Sequence, residues 1–155
     1  MIVNVPMNST SVQKFLAAWH LAIERKDLSI MDAWVVDDVV LNSPALFRPK
    51  HGKKVVTEIL RDVLASLDGY KVTKTWIDGS EILLEFDATV GGMTLQGVDR
   101  ITLNSEGQMT RLKVFIRPFK GLQVLIAAVV ARNIGRMSGP RKLIARVAFA
   151  IKSRG

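Results

Sequence analysis

A carboxylate on an apolar strand face is the residue of this chain best suited to chemistry. Residues 97–118, GVDRITLNSEGQMTRLKVFIRP, alternate in hydropathy as two strands around a turn at residues 104–107. The period of two places Asp99 on one face with Ile101 and Leu103. Apolar surroundings disfavour the charged form of a carboxyl group and raise its pKa. Asp99 is therefore predicted to donate a hydrogen bond to a ligand oxygen, or to exchange a proton with it.

His20 is the second candidate for acid–base chemistry. It follows Trp19 in a predicted helix, and either its imidazole or a water would relay protons to Asp99. The alternative for His20 is an ordinary residue of the helix surface. The alternative for Asp99 is a pairing with a buried tryptophan N–H, with His20 or with a basic side chain, which would order the pocket without chemistry.

Other site chemistries are disfavoured by the composition. The chain has no cysteine, and its two histidines, His20 and His51, stand in unrelated sequence contexts. We therefore expect no metal site and no cofactor. Arg48, Lys50 and His51 lie in a proline-containing loop, where they would either meet an anionic group of a ligand or remain solvated.

Helical and strand periodicities give the order of the elements that would position these residues. Apolar residues recur at helical spacing from residue 12 to about 26, again at 30–34, and from 53 to about 67. A short strand is predicted at 39–43 after a turn at 37–38, and four strands in hairpin succession fill residues 70–117. Helices followed by a mostly antiparallel sheet predict an α+β fold with the helices on one face of the sheet.

Large side chains on these elements are the expected walls of a pocket. The aromatic ones are Trp19, Trp34, Phe47, Trp76 and Phe86. A pocket lined in this way suits a small hydrophobic molecule, such as a steroid, a terpene, a polyketide or an acyl chain. Ordinary core packing is the alternative for each of these side chains.

The net charge of +8 is concentrated in the last quarter of the chain. Residues 1–119 carry 14 basic and 14 acidic side chains, which cancel. Residues 120–155 carry no acid and supply the whole excess: Lys120, Arg132, Arg136, Arg141, Lys142, Arg146, Lys152 and Arg154. A neutral body with a basic tail is therefore the appropriate description.

This tail contains two apolar segments separated by a break at residues 135–140. The first, 121–134, is expected to form a lid over the pocket or a dimer contact. The second, 141–154, has an imperfect apolar stripe with basic residues on the opposite side, which favours attachment to an anionic membrane surface. Binding to nucleic acid is disfavoured, because Phe149 is the only aromatic residue among these basic ones.

The N-terminal residues show neither a positive leader nor a long apolar run, so we expect no signal peptide. No stretch reaches the length of a membrane-spanning helix. The expected location is cytoplasmic, with peripheral membrane attachment as the alternative.

Three segments together resemble the nuclear transport factor 2-like superfamily in its SnoaL-like branch. They are FLAAWHLAIERKDL, DDVVLNSPALFRPKHGKKVVTEIL and the hairpin GVDRITLNSEGQMTRLKVFIRP. The resemblance covers about residues 11–118 and implies a cone, in which a curved sheet wraps on helices around a deep apolar pocket. It divides the chain into a cone domain, 1–118, and a basic helical extension, 119–155. It also implies a homodimer, formed through the outer face of the sheet.

The resemblance assigns roles to single positions. Asp99 matches the oxyanion-hole aspartate of ketosteroid isomerases. Trp19 stands where those enzymes have a tyrosine in the first helix, and Ser43 where they have a general-base aspartate. Val114 stands where epoxide hydrolases and cyclases of this fold have an aspartate on the last strand. The catalytic sets of these reactions are therefore incomplete here, while Trp19, Ser43 and Val114 remain expected contacts of a ligand.

Three functions remain open from the sequence. The first is an isomerase, cyclase or hydrolase that uses Asp99 for general acid–base chemistry. The second is a ligand-binding or carrier protein that has the same pocket and performs no reaction. The third is an interaction module that the basic tail attaches to a membrane.

Overall fold

Helices pack against a curved six-stranded sheet in the computed structural model, which describes residues 9–136 and positions 139, 146 and 149. In chain order the elements are helix α1 (Ser9–Arg25), a 3-10 helix (Leu28–Trp34), strands β1 (Val35–Asn42) and β2 (Lys50–His51), helix α2 (Lys53–Ser66), strands β3 (Asp68–Asp78), β4 (Glu81–Val90), β5 (Met93–Leu103) and β6 (Met109–Arg117), and helix α3 (Phe119–Arg136). The predicted α+β fold is therefore confirmed.

The strands are ordered β2-β1-β6-β5-β4-β3 across the sheet. Strands β3 to β6 pair with their neighbours in antiparallel succession, whereas β1 runs parallel to β6. Two tight turns join the central strands. Gly91 and Gly92 adopt φ values of 53° and 77°, and Gly107 adopts 80°, conformations that favour glycine. Both turns lie where the sequence predicts them.

The first strand differs from its prediction. Residues 37–38 were expected to form a turn, but Asp37 and Asp38 lie inside β1. The pairing of β1 with β6 shifts register between Val35 and Val40, so a bulge carries both carboxylates on the exposed side. Because the bulge accommodates Asp37 and Asp38 within the strand, β1 begins at the buried Val35 and not at Val39 as predicted.

The first helix supplies the largest share of the core on the helical side. Its residues at helical spacing are buried: Val12, Phe15, Leu16, Trp19 and Ala22. They pack against the alternating inner face of the sheet, where β4 and β5 bury Ile82, Leu84 and Ile101. This periodicity agrees with the pattern that predicts the helix.

Helix α3 packs on the same body as the preceding elements. Leu125 joins Phe86 and Leu95 in a second buried cluster. The guanidinium of Arg136 donates to both carboxylate oxygens of Asp62 on α2, and Asp62 is buried. Arg132 also donates to the Ala65 carbonyl oxygen, at 2.7 Å. These two arginines fasten the end of α3 to α2.

The second tail segment, 141–154, lies outside the described residues apart from positions 146 and 149. Within the described part of the chain, no helix is long and apolar enough to cross a membrane.

Candidate functional site

A cavity of about 260 Å³ lies between the inner face of the sheet and the three α-helices. Almost all of its wall is apolar. Helix α1 contributes Trp19 and Ala22, and α2 contributes Ile59, Leu60, Val63 and Leu64. The sheet contributes Phe86, Leu112, Val114 and Ile116, and α3 contributes Leu122, Leu125, Ile126, Val129 and Val130. Helix α3, which includes residues 121–134 of the tail, therefore forms one wall of the cavity.

Polar groups on this wall are few. Among the described residues that line the cavity, the side chains with an oxygen atom are those of Ser43, Tyr70 and Asp99. The indole of Trp19 adds one N–H group. Such a wall favours an uncharged ligand with one or two polar atoms, because burying an unpaired charge is costly.

Asp99 lies at the centre of the sheet. It is on β5, directly across from Leu84 on β4 and Val114 on β6, and its side chain points toward the cavity with only 6% of the residue exposed. The Tyr70 hydroxyl group on β3 donates a hydrogen bond of 2.9 Å to its Oδ2 atom. This carboxyl group is thus buried, held by one donor and in contact with the cavity.

The Tyr70 ring is held in place by Phe86. The two rings stack with their centroids 4.5 Å apart. Phe86 in turn lies over Gly97, where an added Cβ would come within 2.7 Å of the phenyl Cε1 and 2.8 Å of the Phe115 carbonyl oxygen. Gly97 is therefore required for the close approach that positions Phe86 and, through it, Tyr70.

Burial sets the electrostatics of this pair. Loss of solvent raises the pKa of Asp99 from 3.8 to about 7, and the hydrogen bond from Tyr70 opposes that rise. The pKa of Tyr70 is also raised, first by burial and then by the nearby charge of Asp99, so Tyr70 stays protonated as a donor. Near neutral pH, Asp99 therefore populates both its acid and its carboxylate forms.

Trp19 brings an unused donor to the same wall. Its indole N–H is buried and has no hydrogen-bond partner of ordinary geometry among the described residues. The nearby Trp19 acts to lower the pKa of the Tyr70 hydroxyl group, against the larger effect of burial, but no hydrogen bond of ordinary geometry joins the two groups. A buried donor without a partner costs free energy that a ligand oxygen would recover.

Four of the residues expected to contact a ligand line the cavity together with Asp99: Trp19, Ser43, Phe86 and Val114. Ser43 follows the end of β1, and its hydroxyl oxygen accepts a hydrogen bond of 3.2 Å from the Ala45 N–H. Val114 is apolar. The two positions where the resemblance implies carboxylates therefore present no titrating group to the cavity.

The remaining expected residues lie elsewhere. Trp34 is half-buried against the main core, and Phe47 is fully exposed. Trp76 lies on the outer face of the sheet, where the Lys74 ammonium group sits 4.8 Å from its ring centroid. His20 is exposed on α1 and is not among the cavity-lining residues. These four residues are therefore not part of the site that we describe.

Tyr70 is the residue beside Asp99 on the cavity wall that the sequence did not predict. It is the only tyrosine of the chain and begins a predicted strand. Its place on the cavity side follows from the pairing of β3 with β4, because Val72 lies opposite the inward-facing Phe86 and Tyr70 is two residues before it. The sequence signal for it is a hydroxyl donor on a strand of the same sheet as Asp99.

No group of three or more potential metal ligands occurs among the described residues. The titratable side chains of the cavity wall, Asp99 and Tyr70, suit hydrogen bonding and proton transfer.

Comparison with known proteins gives matches among solved structures. A steroid delta-isomerase from Pseudomonas aeruginosa is 32% identical with a TM-score of 0.79, and the alignment covers 84% of this chain and 96% of that protein. An uncharacterised protein with a cystatin-like fold from Silicibacter pomeroyi is 28% identical with a TM-score of 0.73, over 86% of this chain and 93% of that one.

SalBIII, an epoxide hydrolase/cyclase-like enzyme of pyran ring formation in salinomycin, shares the fold. Its TM-score is 0.62 at 13% identity, over 74% of this chain and 96% of that protein. No protein-family model and no curated protein matches the sequence. The cone of sheet and helices, the apolar cavity and the 32% identity to the isomerase all support one family assignment. This chain belongs to the nuclear transport factor 2-like superfamily, in its SnoaL-like branch.

Proposed function

We propose that the cavity binds a small, uncharged hydrophobic molecule and that Asp99 anchors a polar oxygen of that molecule. The observation that carries this proposal is a buried carboxyl group in contact with an apolar cavity and held by the Tyr70 hydroxyl. Buried carboxylates are rare unless paired, and Tyr70 pairs with one of the two oxygens, so the place of Asp99 at a cavity wall favours a ligand as the partner of the other oxygen.

The two oxygens of Asp99 have different roles in this proposal. Oδ2 accepts the hydrogen bond from Tyr70, and no other hydrogen bond to the carboxyl group occurs among the described residues. Protonated Oδ1 would donate to a carbonyl or hydroxyl oxygen of the ligand. The free N–H of Trp19 is a second donor for the same oxygen or for a neighbouring one.

Proton transfer is the reaction that this arrangement supports. A carboxyl group with a pKa of about 7 populates its acid and base forms equally near neutral pH, the condition in which general acid–base catalysis works best. In this reaction Asp99 would act as the carboxylate: it would take a proton from one carbon atom of the ligand and return it to another, while the Trp19 N–H, in place of a protonated Asp99, would hold the ligand oxygen. This single-carboxyl shuttle is an isomerisation, the class of reaction that the similar Pseudomonas enzyme is named for.

A carrier without chemistry is the second candidate function. It is favoured by Ser43 and Val114, which present no second titrating group to the ligand. A carrier would use Asp99 and Trp19 for recognition alone.

Asp99→Asn separates the two candidates, with Asp87→Asn as the matched control. Asp87 lies on the outer face of β4 and accepts a hydrogen bond from Gln96, at 2.9 Å. The probe is a 5-ene-3-keto steroid, chosen because of the similar isomerase. Its isomerisation to the conjugated enone is followed by ultraviolet absorbance, and its binding by tryptophan fluorescence, since Trp19 lines the cavity.

An isomerase loses turnover in Asp99→Asn and keeps it in Asp87→Asn. A carrier shows no turnover in the wild type, and its affinity falls about 10-fold in Asp99→Asn, the effect of one hydrogen bond to a buried polar group. The proposal is wrong if Asp99→Asn matches the wild type in both measurements, or if neither this steroid nor a panel of terpenes and fatty acids binds the wild type.

A further inference from the structure

An exposed apolar patch with neighbouring cations flanks the cavity. We call it the mouth surface and define it as Leu46, Phe47, Arg48, Lys50, Phe119 and Lys120. Phe47 is fully exposed and Phe119 is 72% exposed. Leu46 is 46% exposed and also lines the cavity, so the cavity reaches the surface beside it. Large aromatic side chains are rarely left in water to this extent without a partner.

The sheet topology brings the two halves of the mouth surface to the same end of the molecule. Strands β1 and β6 are parallel neighbours, with Asn42 opposite Lys113, so their carboxyl ends point the same way. The loop 43–49 follows β1, and α3 follows β6. Leu46 from the loop and Leu122 from α3 both line the cavity, which places its opening between these elements.

The segments that carry the mouth surface are free of acidic side chains. Residues 39–57 and 107–155 contain no acidic side chain. The turns at the opposite end of the sheet carry Asp78 and Glu106. Asp68, at the beginning of β3, lies 3.8 Å from the ammonium group of Lys26. The mouth surface therefore offers cations to an anionic partner.

We propose that the mouth surface docks on an anionic lipid bilayer. Phe47 and Phe119 insert at the boundary between the headgroups and the acyl chains, as apolar aromatic side chains of interfacial segments do, while Arg48, Lys50 and Lys120 contact anionic headgroups. This docking depends only on the described residues of the mouth surface and not on the segment 141–154.

Docking in this orientation turns the opening of the cavity toward the hydrocarbon. A hydrophobic ligand then passes between the bilayer and the cavity without crossing water. This second step rests on the proposed function, whereas the docking does not, so failure of one leaves the other in place.

Because the chain has no cysteine, a single labelled cysteine reports on docking directly. Pro49→Cys, an exposed position between Arg48 and Lys50, carries a polarity-sensitive fluorophore, and Glu106→Cys at the opposite end of the sheet is the matched control. The full chain is mixed with phosphatidylserine–phosphatidylcholine vesicles or with phosphatidylcholine alone. We expect a blue shift at position 49 only, with the anionic vesicles only, and its loss at high salt. No shift at position 49, or an equal shift at position 106, overturns the proposal.

Vesicle sedimentation tests which side chains are responsible. Replacing Arg48 and Lys50 together by Glu should lower the partition coefficient on anionic vesicles at least about 30-fold, from the contribution of each cation near a charged surface. Phe47→Ser should weaken binding further, and Trp76→Ser, an exposed aromatic on the outer sheet face, should not. If the mouth variants bind as the wild type does, other basic residues are responsible and the proposal is wrong. A surface made for an acidic protein would give no binding to vesicles, which also overturns it.

Discussion

Burial of Asp99 makes the stability of the fold depend on pH in a direction unusual for a carboxyl group. The folded protein holds the proton of Asp99 up to a pKa of about 7, whereas the unfolded chain releases it near 3.8. Between these values the folded state binds more protons, so the free energy of unfolding falls as the pH rises. At about 1.4 kcal/mol for each pH unit of this window, the full loss is about 4 kcal/mol above the folded pKa. Asp99→Asn cannot ionise and should not show this loss.

Urea unfolding of the wild type and of Asp99→Asn, from about pH 5 to about pH 8, measures the effect. The free energy of unfolding of the wild type should fall relative to the variant across this range, by an amount on the order of 3 kcal/mol. Asp87→Asn should follow the wild type, since Asp87 lies on the outer face with Gln96 as its partner. If the wild type and Asp99→Asn change in parallel with pH, Asp99 is not a desolvated carboxyl group and the reasoning fails.

Three further predictions concern the parts that hold the site. Tyr70→Phe removes a hydrogen bond that favours the carboxylate, so the pKa of the anchor should rise by about one, which NMR titration checks. Arg136→Ala leaves the buried carboxyl group of Asp62 without its partner and should lower the free energy of unfolding in urea by about 2–3 kcal/mol. Asp62→Ala should cost about half of this, because the Arg136 side chain is half exposed and water can solvate it. Equal costs for the two variants would contradict this argument. Gly97→Ala should destabilise by about 1–3 kcal/mol, while Gly135→Ala, with nothing within 4 Å of the added Cβ, should not.

Much of the fold follows from local patterns in the sequence. The alternation in the last hairpin predicts which face of β5 carries Asp99, and the turn glycines predict where β4, β5 and β6 are joined. The helical spacing from Val12 to Ala22 predicts the buried face of α1. These features are local, so neighbouring residues determine them without knowledge of the tertiary structure.

The walls of the cavity are predicted less well because they depend on details of pairing. Strict alternation from Tyr70 would place Trp76 on the same face. A register shift between Val72 and Lys74 interrupts that alternation, so Tyr70 faces the cavity and Trp76 faces outward. The size of Phe47 likewise suggests a wall, but the loop after β1 carries it into solvent. Neither outcome can be read from residue types alone.

The pairing of Tyr70 with Asp99 is also non-local. The two residues are 29 positions apart and are separated by β4, and an inward-leaning tyrosine bridges that strand.

Two other expectations stay predictions: the homodimer through the outer sheet face, and membrane attachment by residues 141–154.

The ionisation of Asp99 in the folded protein tests the central claim most directly. Selective labelling of the aspartate side-chain carbons gives nine carboxyl resonances, and Asp99→Asn identifies the one that belongs to Asp99. We predict that this resonance titrates with a pKa of about 7, because the carboxyl group is desolvated and Tyr70 is its only partner among the described residues. A pKa at or below about 4, the ordinary value of an exposed aspartate, would contradict the account of Asp99 as a buried anchor.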